Sequence, residues 1–430
     1  MKNKFVNKEA SYITQKWNTL GGHDPTIIQD DNTKKYYMFS TDSVIEGQYT
    51  SGIQLRISDD LIHWTYKETV FNGVPQEAHK WSNAEGLWAP EVVKVEEGYR
   101  MYYSASTFGS TTSCICLATS KSLEGPWQDQ GIVVKTNNSL AKHNAIDANV
   151  ITDQENRIWL CYGSFFGGIY LLELDKSTGF PIEKGSFGQC IAKRNASVEG
   201  AVEGPFIIYN PTYDYYYLFS SYDSLFDTYN IRVSRSKEIE GPYIDINDYP
   251  MLAEEIHPNK IGTKILGSYS FENGEEWIAP GHNSIVKDKN NNYYMVHHVR
   301  YKNGKNLEPL AFIRKLRWLE NGWPVVSVEY LSEIEKNDEK ELCEKDLLGL
   351  WEFVEFEDCK SHLVSSKKLE ITEEHLEGIV YCKENHYSIP SKNTWLQIYQ
   401  GYDWENGRVG VYLSSLTGKG MAVLGKKVDL

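Results

Sequence analysis

One phrase of sequence occurs five times in this chain, and that repetition limits the possible folds more than any other feature. Each copy runs from a short apolar segment through a polar turn to an aromatic-rich strand and then a further strand. The opening parts are HDPTII (23–28), APEVV (89–93), IDANVI (146–151), VEGPFI (202–207) and GHNSIV (281–286). After turns such as QDDNTKK (29–35) and TDQEN (152–156) come the strands YYMFS, YRMYYS, IWLCYG, YYYLFSS and YYMVHH. These start at Tyr36, Tyr99, Ile158, Tyr215 and Tyr293, with spacings of 63, 59, 57 and 78 residues. Third strands follow as GIQLRIS, CICLATS, GIYLLEL, YNIRVSR and PLAFIRK. A period of about 60 residues built only of strands and turns is too long for a solenoid coil and suits a four-stranded propeller blade. A β-sandwich also alternates short strands with turns, but chance alternation does not keep the phrase order through five copies. The expected fold is all-β, a five-bladed β-propeller.

The period stops past Val328. The charged stretch EIEKNDEKELCEKD (333–346) reads as a linker, and LLGLWEFVEF (347–356) opens a new set of short strands. The expected organisation is a propeller domain over residues 1–335 and a small C-terminal β-barrel or sandwich domain over 345–430, serving as a sugar-binding module or as a buttress. The balance of 44 basic against 59 acidic residues, a net charge of −15, repels phosphate backbones and anionic membranes. Neither nucleic acid nor a membrane is therefore an expected partner, and the oligomeric state is not legible. The seven cysteines, Cys114, Cys116, Cys161, Cys190, Cys343, Cys359 and Cys382, are odd in number and form no CxxC pair, which reads as free thiols in a reducing compartment. The N-terminus holds no apolar run of the length a secretory signal needs. The expected location is cytoplasmic, or outside the cell if Met1 follows a removed leader.

The first strand of each propeller blade lines the central channel, so equivalent positions of the five copies converge at one mouth. Anchoring on the first apolar residue of each opening strand (Ile27, Val92, Val150, Phe206, Ile285) and stepping back three positions gives Asp24, Ala89, Asp147, Glu203 and His282. Any one acid at a strand start is ordinary turn chemistry, but three at one register repel one another, which raises at least one pKa. A protonated acid beside an ionised base is what glycosidic bond hydrolysis uses. With HDPTII, LWAPEVV, NAIDANVI, VEGPFI and APGHNSIV in this order over about residues 20–330, the chain resembles glycoside hydrolase family 43, and most of all its endo-1,5-α-L-arabinanases. The resemblance implies an inverting enzyme acting on arabinan or arabino-oligosaccharides. Within it Asp24 is the general base, Glu203 the general acid, and Asp147 the third carboxylate, which tunes and orients the acid. Glu199, four residues before Glu203, lies outside the shared register.

The resemblance further implies that His282 helps to hold a calcium ion otherwise largely surrounded by water. On residue chemistry alone His282 reads instead as a hydrogen-bonded channel histidine without metal, because calcium usually takes oxygen ligands; the resemblance reverses that preference. Trp88 and Phe108 match aromatic walls of the family's sugar cleft, and His23 matches a residue that positions substrate. Each of these has an ordinary structural alternative in core packing or strand capping. In HHVR (297–300), His298 and Arg300 share one strand face. Two rival readings remain: an exo-acting α-L-arabinofuranosidase or β-xylosidase of the same family, and a propeller that binds sugars without cleaving them.

Overall fold

The computed structural model describes residues 12–45, 47–302, 308–337 and 340–428. Five antiparallel sheets follow one another in chain order, and the blades are numbered accordingly. Blade 1 is His23–Gln29, Tyr36–Thr41, Gln54–Ser58 and Thr65–Thr69. Blade 2 is Trp88–Val95, Gly98–Ala105, Ser113–Ser120 and Gln128–Thr136. Blade 3 is Asn149–Thr152, Ile158–Tyr162, Ile169–Leu174 and Gln189–Ala192. Blade 4 is Val202–Asn210, Tyr215–Tyr222, Asn230–Ser236 and Thr263–Leu266. Blade 5 is Glu276–Lys287, Tyr293–Tyr301, Leu310–Trp318 and Pro324–Val326, and Tyr269–Ser270 and Val364–Ser365 extend its sheet. The five-bladed expectation therefore holds, with the first three strands of every blade at the repeated phrases. The fourth strands carry no phrase, since Thr65–Thr69 is mostly exposed and Gln189–Ala192 is short.

Second strands are buried on both faces because neighbouring blades cover each sheet. All six residues of Tyr36–Thr41 and all nine of Tyr293–Tyr301 are buried, which is why these strands read as near-continuous aromatic and apolar runs without alternation. Phe39 and Leu55 of blade 1 pack with Val92, Tyr103, Cys114 and Cys116 of blade 2. Tyr102 and Ile115 pack with Leu160 and Leu172 across the next interface, and Cys161 and Leu171 with Ile207 and Leu218 across the one after. The two thiols of CxC are packing groups, and all seven cysteines are free.

Among the described residues no strand of one end of the chain completes the sheet of the other, and the ring closes through the entry segment. Leu20 bridges Leu310 of blade 5, Gly21 N–H donates to Pro309 O (2.8 Å), and Ala311 N–H donates to Thr19 O (3.1 Å). Just before it Trp17, 1% exposed, stacks on Tyr330 at 3.9 Å and meets the edge of Trp404 at 5.6 Å. Trp404 belongs to the C-terminal domain, one seven-stranded antiparallel sheet formed by Gly349–Glu355, Lys367–Ile371, Val380–Lys383, His386–Ile389, Thr394–Asp403, Arg408–Thr417 and Ala422–Lys427. This sheet is bonded to the propeller where Tyr399 Oη accepts from Val328 N–H (2.8 Å) and Ser414 Oγ donates to Val326 O (2.7 Å). Its apolar side chains join the same core as blades 4, 5 and 1, which is the arrangement of a buttress. Because Trp17 joins ring closure to this domain, Trp17→Ala is expected to cost about 3–5 kcal/mol. A urea unfolding curve checks this, and a midpoint unchanged from that of the parent protein would refute the assignment.

Candidate active site

The channel-lining strand of each blade carries a left-handed residue near its start: Asp24 (φ 46°), Ala89 (40°), Asp147 (62°), Gly204 (56°) and His282 (46°). Four of the five are not glycine, a conformation L residues adopt only when neighbours hold it. The holding groups come from the preceding blade. Ala89 N–H donates to Thr41 Oγ1 (2.8 Å), Asp147 N–H to Ser104 Oγ (3.0 Å) and His282 N–H to Ser221 Oγ (2.8 Å). His298 Nδ1 lies 3.4 Å from Asp24 N and 3.1 Å from its Oδ1, a contact that closes the circle from blade 5 to blade 1. Blade 3 has Gly163 at the corresponding place, where a Cβ would lie 2.5 Å from Gly168 O. With no side chain available there, Asp147 itself takes the next link, accepting Gly204 N–H at Oδ2 (3.0 Å).

This pattern corrects the register read from the sequence. Glu203 pairs opposite Ser221 as His23 does opposite Thr41, Trp88 opposite Ser104 and Gly281 opposite His298. Glu203 thus stands level with His23 and Trp88, one residue before the level of Asp24, Ala89, Asp147 and His282, which Gly204 fills in blade 4. The displacement comes from Phe206, an apolar residue at the place held by Thr26, Glu91, Asn149 and Ser284 in the other blades. Glu203 still reaches the same mouth from its earlier position, whereas Glu199 is exposed in a turn.

Asp24 is surrounded by donors. Thr41 Oγ1 donates to Oδ2 (2.6 Å), His23 Nδ1 lies 2.9 Å from Oδ2, and Nδ1 of His298 and of His282 lie 3.1 and 3.3 Å from Oδ1. Burial pushes the carboxyl up, but the charges of His23 and His282 and the hydrogen bonds from His23 and His298 outweigh it and hold Asp24 well below the ordinary aspartate range. No imidazole acts on Asp147, and of the histidines only His23 pulls on Glu203, less strongly than burial pushes it up. Burial raises Asp147 well above its usual value, and the charges of Glu203 and Asp24 add to that rise. Burial raises Glu203 too, opposed by hydroxyls that favour its ionised form: Tyr229 Oη donates to Oε1 (2.7 Å) and Ser164 Oγ to Oε2 (2.8 Å). Tyr229 is itself held by the backbone of blade 5. Its ring lies on Gly281, where an added Cβ would fall 1.8 Å from Cδ1, and it stacks on His298 at 5.5 Å. The result is one ionised carboxylate facing two carboxyls driven toward the protonated state, one mouth holding a base and an acid.

The structure thus brings Asp24, Asp147, Glu203, His23 and His282 together. Trp88 is half-buried beside the ring, and Phe108 is 71% exposed on the loop that follows Ser104 and Ala105. Donor atoms of His23, Asp24 and His298 all lie within 4.8 Å of one another and could hold a metal. His282, the expected ligand, stands outside this trio. Arg300 does not brace a carboxylate through its Nε, which donates to Leu225 O (3.1 Å). Sequence reasoning missed Thr41, Ser164 and Tyr229. Thr41 follows the second-strand phrase directly and was findable by comparing the hydroxyls at the ends of the second strands, Thr41, Ser104 and Ser221, but Ser164 and Tyr229 lie in loops that no repeat aligns.

A base and an acid separated in this way, beside exposed aromatic rings on a five-bladed propeller, define a propeller glycoside hydrolase. Comparison with known proteins agrees. The family model of glycosyl hydrolases family 43 matches residues 19–324. Extracellular endo-α-(1→5)-L-arabinanase 2 of Bacillus subtilis is 32% identical over 395 residues, covering 82% of this chain and 80% of that protein. An extracellular exo-α-(1→5)-L-arabinofuranosidase of Cellvibrio japonicus is 32% identical over 342 residues, 74% of this chain and 87% of that one. Among solved structures, endo-1,5-α-L-arabinanase of Thermotoga petrophila superposes with a TM-score of 0.82 at 26% identity, over 95% of this chain and 99% of that one. The chain belongs to glycoside hydrolase family 43.

Proposed function

We propose that the protein is an inverting glycoside hydrolase that cleaves α-1,5-linked L-arabinan or its oligosaccharides. The observation that carries this reading is the opposite bias of Asp24 and Glu203 at one mouth. Asp24, kept ionised, takes the proton of the water that attacks the anomeric carbon. Glu203, its pKa raised by burial, gives its proton to the departing sugar oxygen as the glycosidic bond breaks, so one proton enters the enzyme and one leaves it. Asp147 orients the acid's strand by accepting Gly204 N–H, and the negative charge of Asp24 disfavours ionisation of Glu203. His23, Trp88 and Phe108 supply the sugar-binding surface. Seven free cysteines support a reducing cytoplasm as the site of action, where imported arabino-oligosaccharides would be the substrate.

Calcium beside His282 forms part of the proposal. Calcium takes six to eight oxygen ligands, and three of the four groups against Asp24 are imidazoles, so a cation bound through His282 would draw most of its shell from water. When bound, calcium would add positive charge next to the carboxylates. Chelation is expected to lower activity and calcium to restore it, measured as sugar release before and after dialysis; full activity after exhaustive chelation would remove the metal from the account.

With linear α-1,5-arabinan the protein is expected to release short arabino-oligosaccharides, and Glu203→Gln to slow release by about 10²- to 10⁴-fold. Arabinose as the sole product would establish the exo reading, and no product from either protein would sink the arabinan reading. Tyr229→Phe tests the acid by pH. Removing a donor to the ionised form raises the Glu203 pKa, and activity is lost as pH rises through that pKa. The alkaline limb of the rate profile should therefore move to higher pH, and a limb unmoved or shifted down would show that Glu203 does not set it.

A further inference from the structure

Two exposed rings at the channel mouth are not explained by packing. Phe108, in the loop between the second and third strands of blade 2, is 71% exposed, and Phe226, in the corresponding loop of blade 4, is 57% exposed. Leaving a phenyl ring in water forgoes the free energy of burying it, yet here the rings find each other. Their centroids lie 6.0 Å apart with planes at 69°, an edge-to-face contact in the range aromatic pairs prefer. The two loops start from blades 2 and 4, on either side of blade 3, so a contact between them crosses the sector of blade 3.

Phe226 is the braced member of this pair. The Arg300 guanidinium of blade 5 lies 5.8 Å from its ring centre, and Arg300 Nε donates to the carbonyl of the preceding Leu225 (3.1 Å). Ser268, in the crossing from blade 4 to blade 5, donates through Oγ to Asp227 O (3.2 Å), so the loop is tied down on both sides of Phe226. The same loop ends at Tyr229, whose hydroxyl reaches Glu203. A ring held this firmly over the mouth, on the segment that also carries a partner of the acid, is placed to meet substrate.

We propose that Phe226 is a specificity-determining residue: with Phe108 it forms an aromatic arch across the blade 3 side of the cleft, which favours sugar chains that end beneath it over chains that must continue past it. This rests on the arabinan-cleaving reading. In that geometry a short arabino-oligosaccharide binds with the arch closed, whereas cleavage at an internal linkage of a polymer requires the rings to part first. The arch therefore discriminates by chain length without touching the reacting atoms.

The test compares kcat/KM on linear arabinan with kcat/KM on arabinotriose for the parent protein, Phe226→Ala and Phe226→Tyr. Phe226→Ala is expected to raise the polymer-to-triose ratio by about 2- to 12-fold, the factor that corresponds to one aromatic pair, while Phe226→Tyr keeps the parent ratio. An unchanged ratio in an active Phe226→Ala protein would overturn the arch, as would equal loss on both substrates, which would make Phe226 a general binding residue. If the parent protein cleaves neither substrate, the arabinan reading itself has failed and the arch falls with it.

Discussion

The site depends on a backbone conformation that four residues would not adopt alone. Asp24, Ala89, Asp147 and His282 are left-handed, and each is pinned by a contact between its own amide and a side chain of the preceding blade. The strain is local, of order 1 kcal/mol or more per residue, and the contacts that offset it join blade to blade. What fixes the carboxylates therefore also fixes the circle of blades. Blade 3 shows the constraint most plainly: Gly163 has no room for a side chain, so a carboxylate of the site supplies the missing acceptor.

Electrostatics then divides residues that share burial. Asp24, Asp147 and Glu203 are all withdrawn from water, which by itself raises every carboxyl pKa. Asp24 has three imidazoles against it, on blades 1 and 5. The other two meet neutral donors: an amide for Asp147, and two hydroxyls for Glu203. The chemistry of the mouth is thus set by where the histidines stand in the repeat, at the first strand of blade 1 and at the first and second strands of blade 5, and not by differences among the carboxylates.

The propeller was legible because the repeat supplies an alignment inside one sequence. Second strands are buried on both faces and keep their aromatic character in each copy, so their positions survive a reading by eye. Fourth strands share no burial pattern, being mostly exposed in blade 1 and fully buried in blades 4 and 5, and they left no phrase. At the site the method found the acids but misplaced one of them. Phe206 is apolar where the other blades have Thr26, Glu91, Asn149 and Ser284, so a rule based on the first apolar residue slipped by one position in blade 4. Tyr229 and Ser164 were out of reach because loop residues acquire their meaning from a partner far along the chain, here 26 and 39 residues from Glu203.

That misaligned level has its own role deeper in the channel. Asn149 Oδ1 accepts Ile207 N–H (2.9 Å), which fixes the orientation of its amide and obliges Nδ2 to donate, as it does to Glu91 Oε1 (3.1 Å). Thr26 Oγ1 meets Glu91 Oε2 at 2.7 Å, and a hydroxyl can donate or accept. Burial pushes Glu91 up to about 7, against the pull of those hydrogen bonds, so it titrates near neutral pH. When Glu91 gains a proton at Oε2, the Thr26 hydroxyl can turn to accept it, and both bonds persist. The tie that joins blades 1, 2, 3 and 4 beneath the mouth is therefore indifferent to the protonation of its own acid. A frame of this kind lets the carboxyls above it change protonation during turnover without changing their spacing, which a reaction that moves protons between two fixed carboxyls requires.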